Sequence, residues 1–494
     1  MSENNNRPGH PTTIVVLAVI IVAAVSMLPI EKFTGGFVKD FSLVADVMHT
    51  SAKNDDDTVD ARADIDPELQ KLMDSTPTDS SAVVAQESVG KGSNITNNII
   101  DIPDGGAPEH HDSIVHKAPL LPPLPEPKAA VRDSNGIVPI EDYTVGGSGL
   151  NRLRRAIASG GKARIAVVGD SYIEGDIFTQ DLRALLQQHY GGSGVGYMAL
   201  YSEFPGFRRS VRQSGGVWNT FTAGKGDSNY KYQGLAEHYF KPAGAATATY
   251  KGTDKVPCAG EWDYTRFLYV APSGGSVTLT TGEETRTFTL IPSDSVKSIL
   301  VAQTVNNVSL STSTGSLIAL GMWLDSSRGV SVDCMSSRGF SGLTLSRINV
   351  DLCRQMSEYI DYDLIILEFG INAMSARQKD YSVYTKAMVK VIEHVRKCYP
   401  NADILLMGIG DRGEKKGGDV KSMISAPYMV EAQRTAARTA RCMFWDTRQA
   451  MGGEDAIVGW ARGGLANKDY IHMTHKGGAR LANEMFNSLQ QLLR

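Results

Sequence analysis

A few short stretches carry side chains whose types and spacing suit acyl transfer. Ser171 stands in Gly169-Asp170-Ser171, after the β-branched run 165–168 and before an amphipathic stretch with Ile177, Phe178, Leu182, Leu185 and Leu186. A short, continuous apolar run suits a strand buried on both faces, and Gly169 marks where it must turn. Ser171 is therefore expected at the carboxyl end of a parallel strand, ahead of a helix at about 176–189, where open α/β sheets hold their ligands. The positive end of a helix also favours an anionic intermediate. Taken alone, the same residues read better as a helix cap after a glycine turn.

A serine hydroxyl is a weak nucleophile and needs an adjacent base, itself oriented by a third group. Asp469-Tyr470-Ile471-His472, just before the closing helix, offers both: His472 as base and Asp469 as its orienter. His475 competes for the base position, but Asp469 is better spaced for His472. The tetrahedral oxyanion needs donors. The backbone N–H groups of Ser171 and Gly342 and the side chain of Asn372 form a set of the right type. Singly, each has a bland explanation, because loop glycines serve turns and Asn or Asp residues cap helices. Together, at successive strand ends, they point to one site.

The elements that must position these residues emerge from the pattern of the chain. Leu150, Leu153 and Ile157 predict a short helix before the opening strand. The Gly-rich stretch 191–197 lacks the ending of a phosphate-binding loop and reads as a turn into a further strand. Strands at 364–367, 404–407 and 442–446 alternate with helices built on Tyr384 to Val395, at 429–442 and at 481–493. That alternation implies a doubly wound parallel sheet. Between about 205 and 335 the character changes. Short segments at 267–270, 276–280, 285–290, 298–302 and 307–311 alternate β-formers with polar residues, separated by Gly and Ser turns, as in a β-sandwich. Trp218, Tyr230, Tyr232 and Trp262 offer a sugar-stacking platform, although aromatic residues in such a module are more often core.

With 494 residues and a formal net charge of −4, the chain has room for several domains and no basic excess suited to nucleic acid. Its five cysteines lack CxxC or His-rich spacing, so neither a zinc site nor a dense disulfide framework is indicated. Residues 13–30 are uncharged and long enough to cross a bilayer core, and read as an uncleaved signal anchor; a cleaved signal peptide is the rival reading. Residues 31–140 are acidic, then Ser/Thr/Asn-rich, then proline-rich. They are expected to form a disordered tether between the membrane and a folded domain. The expected organisation is a tail at 1–12, the anchor at 13–30, the tether at 31–140, an α/β domain at 141–204 and 336–494, and an all-β insertion at 205–335.

Gly169-Asp170-Ser171, Gly342, Gly370-Ile371-Asn372 and Asp469-x-x-His472, in that order, resemble the four sequence blocks of the SGNH (GDSL-type) hydrolase superfamily. The resemblance covers about 145–204 and 336–494, and implies a three-layer α/β/α fold with a Ser–His–Asp esterase mechanism. No Gly follows Ser171 two residues later, unlike the Gly-x-Ser-x-Gly elbow of α/β-hydrolases. Within the superfamily, the β insertion between the first two blocks is similar to that of peptidoglycan O-acetylesterases. One departure is Ala373, which stands where an acid usually follows the third-block Asn. Gly339 is the alternative to Gly342 as the second-block glycine.

The resemblance implies an O-acetylesterase for a cell-wall glycan, with 6-O-acetylated muramoyl residues of peptidoglycan as the expected substrate. The protein would be held at the bacterial inner membrane by one N-terminal helix, its catalytic domain in the periplasm or otherwise outside the membrane. No metal or organic cofactor is implied. Transfer of the acyl group to another sugar, deacetylation of another polysaccharide, or a catalytically silent glycan-binding protein are the alternatives.

Overall fold

A computed structural model of the chain describes residues 122–124, 126 and 131–493. The expected membrane anchor at 13–30 and most of the expected tether lie outside the described residues. Among the described residues, no helix is long and apolar enough to cross a membrane. Residues 131–140, expected to close the tether, pack on the domain instead. Val138 and Ile140 are buried there, and the Val138 carbonyl accepts from Ser488 Oγ at 2.7 Å and Trp445 Nε1 at 3.3 Å.

The first elements are β1 (Glu141–Asp142), α1 (Asn151–Ala158), β2 (Lys162–Gly169), α2 (Thr179–Tyr190) and β3 (Gly194–Met198). Eight strands follow: β4 (Val211–Thr222), β5 (His238–Gly252), β6 (Trp262–Ala271), β7 (Gly275–Thr281), β8 (Glu284–Leu290), β9 (Ser293–Val305), β10 (Asn307–Thr312) and β11 (Ile318–Asp325). Then come β12 (Gly329–Ser336), α3 (Val350–Ser357), β13 (Leu364–Glu368), α4 (Ser382–Cys398) and β14 (Asp403–Met407). A hairpin, β15 (Gly413–Lys416) and β16 (Asp419–Ser422), precedes α5 (Ala426–Thr439), β17 (Met443–Trp445), α6 (Thr447–Met451), α7 (Ala456–Arg462) and α8 (His475–Leu493).

One sheet runs β1-β17-β14-β13-β2-β12, parallel throughout except for β1. Its central strands are apolar without alternation because both faces are covered; Ile365, Ile366 and Leu367 have no exposed surface. The chain pairs β2 with β12 on one side and with β13 on the other, so strand order reverses at β2. Register aligns Gly169 with both Ser336 and Glu368. The loops after β2, β12 and β13 therefore leave the sheet side by side, and each carries one of the sequence-selected residues Ser171, Gly342 and Asn372.

The other sheet has nine strands, β8-β7-β10-β5-β11-β6-β9, with β3 on β11 and β4 on β5. The segments expected between 267 and 311 all fall in its strands. It is one continuous ladder where a two-sheet sandwich was expected. The long β5 pairs through 246–251 with β10 and through Phe240 with β11, which turns the sheet upon itself. Thr281 on β7 thereby donates to Gln303 on β9 at 3.0 Å, closing the far ends together. The insertion has its own core, built around Trp218, Phe240, Tyr250, Trp262 and Phe267.

Two strands belong to the sheet on the other side of the boundaries expected at 205 and 335. β3 joins the nine-stranded sheet, whereas β12 pairs with β2. β12 alternates apolar and polar residues, yet its polar positions are buried at the junction with the insertion. Asp333 there accepts from the Tyr197 N–H at 3.0 Å, Trp323 Nε1 at 2.8 Å and Tyr362 OH at 2.8 Å.

α2 starts at Thr179, later than expected. Gly175 (φ 68°) and Asp176 (φ 65°) are left-handed and swing the Asp176 carboxylate into the protein. There it accepts two bonds from Arg183 at 2.8 Å, one from Arg208 at 3.1 Å, one from Ser210 at 2.9 Å and one from Thr179. Burial opposes its charge, but Arg183 and Arg208 outweigh that and hold it well below the usual carboxylate range. Removing one partner from such a cluster strands a buried charge, at a cost of about 3–5 kcal/mol. Asp176→Ala is expected to lower the unfolding free energy by about that amount in urea titration; a loss below about 1 kcal/mol would show that Arg183 finds other partners.

Candidate active site

The loop after β2 and the loop before α8 bring the selected residues together. Ser171, 8 % exposed, lies just beyond the carboxyl end of β2 at the point where strand order reverses. Its Oγ is 3.0 Å from His472 Nε2. His472 Nδ1 is 2.8 Å from Asp469 Oδ2, while Asp469 Oδ1 accepts the Ile471 and His472 N–H groups at 2.9 and 3.1 Å. This ladder fixes the loop, and an ionised Asp469 fixes the tautomer with Nδ1 protonated and Nε2 free to accept. Burial acts to raise the Asp469 carboxyl; its bonds to the His472 ring and to those N–H groups outweigh burial and lower it.

The close approach of the two loops requires Gly478. In the first turns of α8, a Cβ at this position would lie 2.0 Å from the Ile177 carbonyl oxygen. α8 begins at His475, earlier than the expected 481, because its early residues face loops rather than presenting an apolar stripe. His475 itself is held by Gln180 at 3.1 Å, leaving His472 as the histidine on Ser171.

Asn372 lies in the turn after β13, with both amide hydrogens engaged. Nδ2 donates to Asp170 Oδ2 at 2.9 Å and to the Phe340 carbonyl at 3.0 Å, which ties the three strand-end loops to one another. Gly342 (φ 85°) heads a short 3₁₀ turn where a Cβ would lie 2.6 Å from Phe369 Cγ, so a larger residue fits neither the backbone nor the space. Gly339 (φ 79°) has open space around it. Ala373 is fully buried.

Two acids beneath the site had no assigned role from sequence. Asp170 is fully buried and its carboxyl is pushed up to about 7 by burial, against the lowering effect of the Tyr172 N–H, His472 and Asn372. Glu368, at the end of β13, is raised well above its ordinary value by burial and then by Asp170. Its Oε2 is buried with no hydrogen-bond partner. The sequence signal for Glu368 is an acid closing an otherwise apolar run, which marks a charge taken into the sheet. Of the suggested stacking aromatics, Trp218 and Trp262 are core, while Tyr230 and Tyr232 are half-buried.

A parallel sheet with a serine at its switch point, a histidine and aspartate on the last loop, and a β-rich insertion after the first block together resemble the SGNH-type esterases. No family model matches the chain, and no curated protein matches it. Among solved structures, a peptidoglycan O-acetylesterase is similar at 23 % identity and a TM-score of 0.60, over 72 % of this chain and 99 % of that one. A family two carbohydrate esterase from Cellvibrio japonicus aligns over 57 % of this chain and 98 % of its own, at 10 % identity and a TM-score of 0.24. An acetyl xylan esterase aligns over 32 % and 81 %, at 19 % identity and 0.25. The likeness to the peptidoglycan O-acetylesterase is one of fold.

A carboxyl raised on folding stabilises the protein while neutral and loses that contribution as pH climbs from its unfolded value to its folded one. The unfolding free energy should therefore fall as pH rises above the ordinary carboxyl range. Glu368→Gln should flatten this fall and be the more stable protein at pH 8. Urea titrations from pH 5 to pH 8 measure both slopes, and parallel slopes would remove Glu368 as their source.

Proposed function

We propose that the protein is a serine O-acetylesterase acting on a cell-wall glycan, with the 6-O-acetylated muramoyl residues of peptidoglycan as substrate. The observation that carries the catalytic part is the unbroken line Ser171 Oγ, His472 Nε2, His472 Nδ1, Asp469 Oδ2, at 3.0 and 2.8 Å. Support for the substrate comes from the fold shared with a peptidoglycan O-acetylesterase over nearly the whole of that protein.

In this reading Ser171 Oγ attacks the acetyl carbonyl carbon as His472 Nε2 takes its proton. Ionised Asp469 stabilises the imidazolium through Nδ1–H. The tetrahedral oxygen is received by the backbone N–H groups of Ser171 and Gly342. Asn372 joins them only by turning a hydrogen away from Asp170 or Phe340; until then it sets the loops that carry the other donors. The imidazolium returns its proton to the departing sugar oxygen, leaving acetyl on Ser171. Water, deprotonated by His472, then releases acetate and restores the hydroxyl. The residues named need no metal or organic cofactor.

Anchoring by residues 13–30 at the inner membrane, with the tether giving reach to the wall, completes the proposal. Its support is sequence composition alone. Ser171→Ala should reduce kcat on p-nitrophenyl acetate by about 10³-fold or more, and Asp469→Asn should reduce it severely through the wrong tautomer. Release of acetate from O-acetylated peptidoglycan should disappear with Ser171→Ala. Retained turnover of the small ester would end the serine assignment; acetate released only from a different acetylated polysaccharide would end the substrate one.

A further inference from the structure

The turn that presents His472 carries an uncommon backbone conformation. In Asp469-Tyr470-Ile471-His472 the Tyr470 backbone is left-handed, with φ 57°. A bulky residue is rarely found there and stays only where surrounding contacts hold it. Some of those contacts lie within the loop. Asp469 Oδ1 accepts the Ile471 and His472 N–H groups, and the Tyr470 N–H donates to the Asn467 carbonyl at 3.1 Å. One comes from outside it: the Gly413 N–H donates to the Tyr470 carbonyl at 2.9 Å.

Gly413 opens β15 and approaches the turn so closely that no side chain fits between them. A Cβ at 413 would lie 2.7 Å from Tyr470 Cβ, 3.2 Å from Val420 Cγ1 and 3.3 Å from Ile457 Cγ2. The backbone of Gly413 is not left-handed, so the close approach, rather than its own conformation, calls for glycine. Tyr470 Cβ is fixed to the turn and cannot swing aside like the end of a long side chain. The hairpin is the better-anchored partner. Behind it Asp411, with no exposed surface, accepts two bonds from Ser422 Oγ at 2.7 Å, one from Arg448 Nε at 2.9 Å and one from the Ile457 N–H at 3.1 Å. A methyl group at 413 is therefore accommodated by a shift of the histidine turn.

The base of the same hairpin also reaches the Asn372 turn. Arg412 donates to the Ile371 carbonyl at 3.0 Å, one residue before Asn372. Asn372 is bonded to Asp170, and Ser171 Oγ meets His472 Nε2. Hydrogen bonds thus run in a closed circuit from the nucleophile loop to the Asn372 turn, the hairpin base, the histidine turn and back.

We propose that Gly413 is a positioning residue of the esterase site. Its bond to the Tyr470 carbonyl and its lack of a side chain hold the left-handed turn from which His472 reaches Ser171. This deepens the esterase reading and rests on it. Gly413 acts through the turn and touches none of the reacting atoms.

The test places a methyl group at 413 with and without its obstacle. Gly413→Ala, Tyr470→Gly and the double variant are made in the full chain; glycine at 470 has no Cβ and adopts a left-handed φ freely. One readout is kcat and KM on p-nitrophenyl acetate. The other, independent of turnover, is the far-downfield NMR resonance of the His472 Nδ1 proton bonded to Asp469. Gly413→Ala is expected to lower kcat about 10- to 100-fold, keep KM within about threefold, and shift or broaden the resonance. In the Tyr470→Gly background the same methyl group is expected to change kcat less than about twofold and to leave the resonance in place. Full kcat in Gly413→Ala, or equal effects in both backgrounds, overturns the proposal. A Gly413→Ala protein that does not fold is expected to fold once residue 470 is glycine; misfolding in both backgrounds makes Gly413 a structural residue and overturns the proposal too. Failure of the esterase reading shows separately, as a wild-type protein that leaves p-nitrophenyl acetate intact while the resonance still responds to Gly413→Ala.

Discussion

The structure depends on satisfying one carboxylate. Asp176, with no exposed surface, is reached by residues of α2 and by the segment that leads into the insertion. A charge taken out of water must be paired and hydrogen-bonded, and here the partners come from two stretches of chain. Meeting that demand fixes the left-handed path at Gly175 and Asp176, a few residues beyond Ser171. It also fixes the segment that leads from β3 into β4. The nucleophile loop and the insertion are thus set by the same group.

Around that anchor the site is arranged as a relay at the surface above a polar layer beneath it. His472 and Asp469 are partly exposed, whereas Asp170 and Glu368 are buried. Asp170 and Asn372 bind each other, so the loops after β2 and β13 are locked by a polar contact rather than by packing alone. Ala373 adds no acid to this layer, which holds the carboxyls of Asp170 and Glu368. Burial raises both carboxyls, and the neighbouring Asp170 raises Glu368 further.

Much of this was legible in the sequence, for identifiable reasons. The runs at 165–168, 364–367 and 404–407 are apolar because both faces are buried, and each is a strand of the parallel sheet. Ser171, His472 and Asp469 were recognisable because their chemistry demands a set, and the structure brings the three together. Other features depended on tertiary partners. β12 read as part of the insertion because Ser331 and Asp333 look solvent-facing; their partners Lys162 and Arg164 lie far along the chain. The late start of α2 required two left-handed residues whose reason is Arg183. Both amide hydrogens of Asn372 are committed to groups from other loops, which no local pattern announces.

The side-by-side placement of β2 and β12 has a bearing on how the protein acquires its shape. These strands are neighbours in the parallel sheet, yet the entire insertion lies between them in the chain. Bringing them together early would mean closing a very long loop, with an entropic cost that grows with its length. An insertion that folds first, with its own core and antiparallel ladders, delivers Asp325 and Gly329 close to Gly192 and Lys162 and shortens that search. The nine-stranded sheet then serves as a scaffold for assembly.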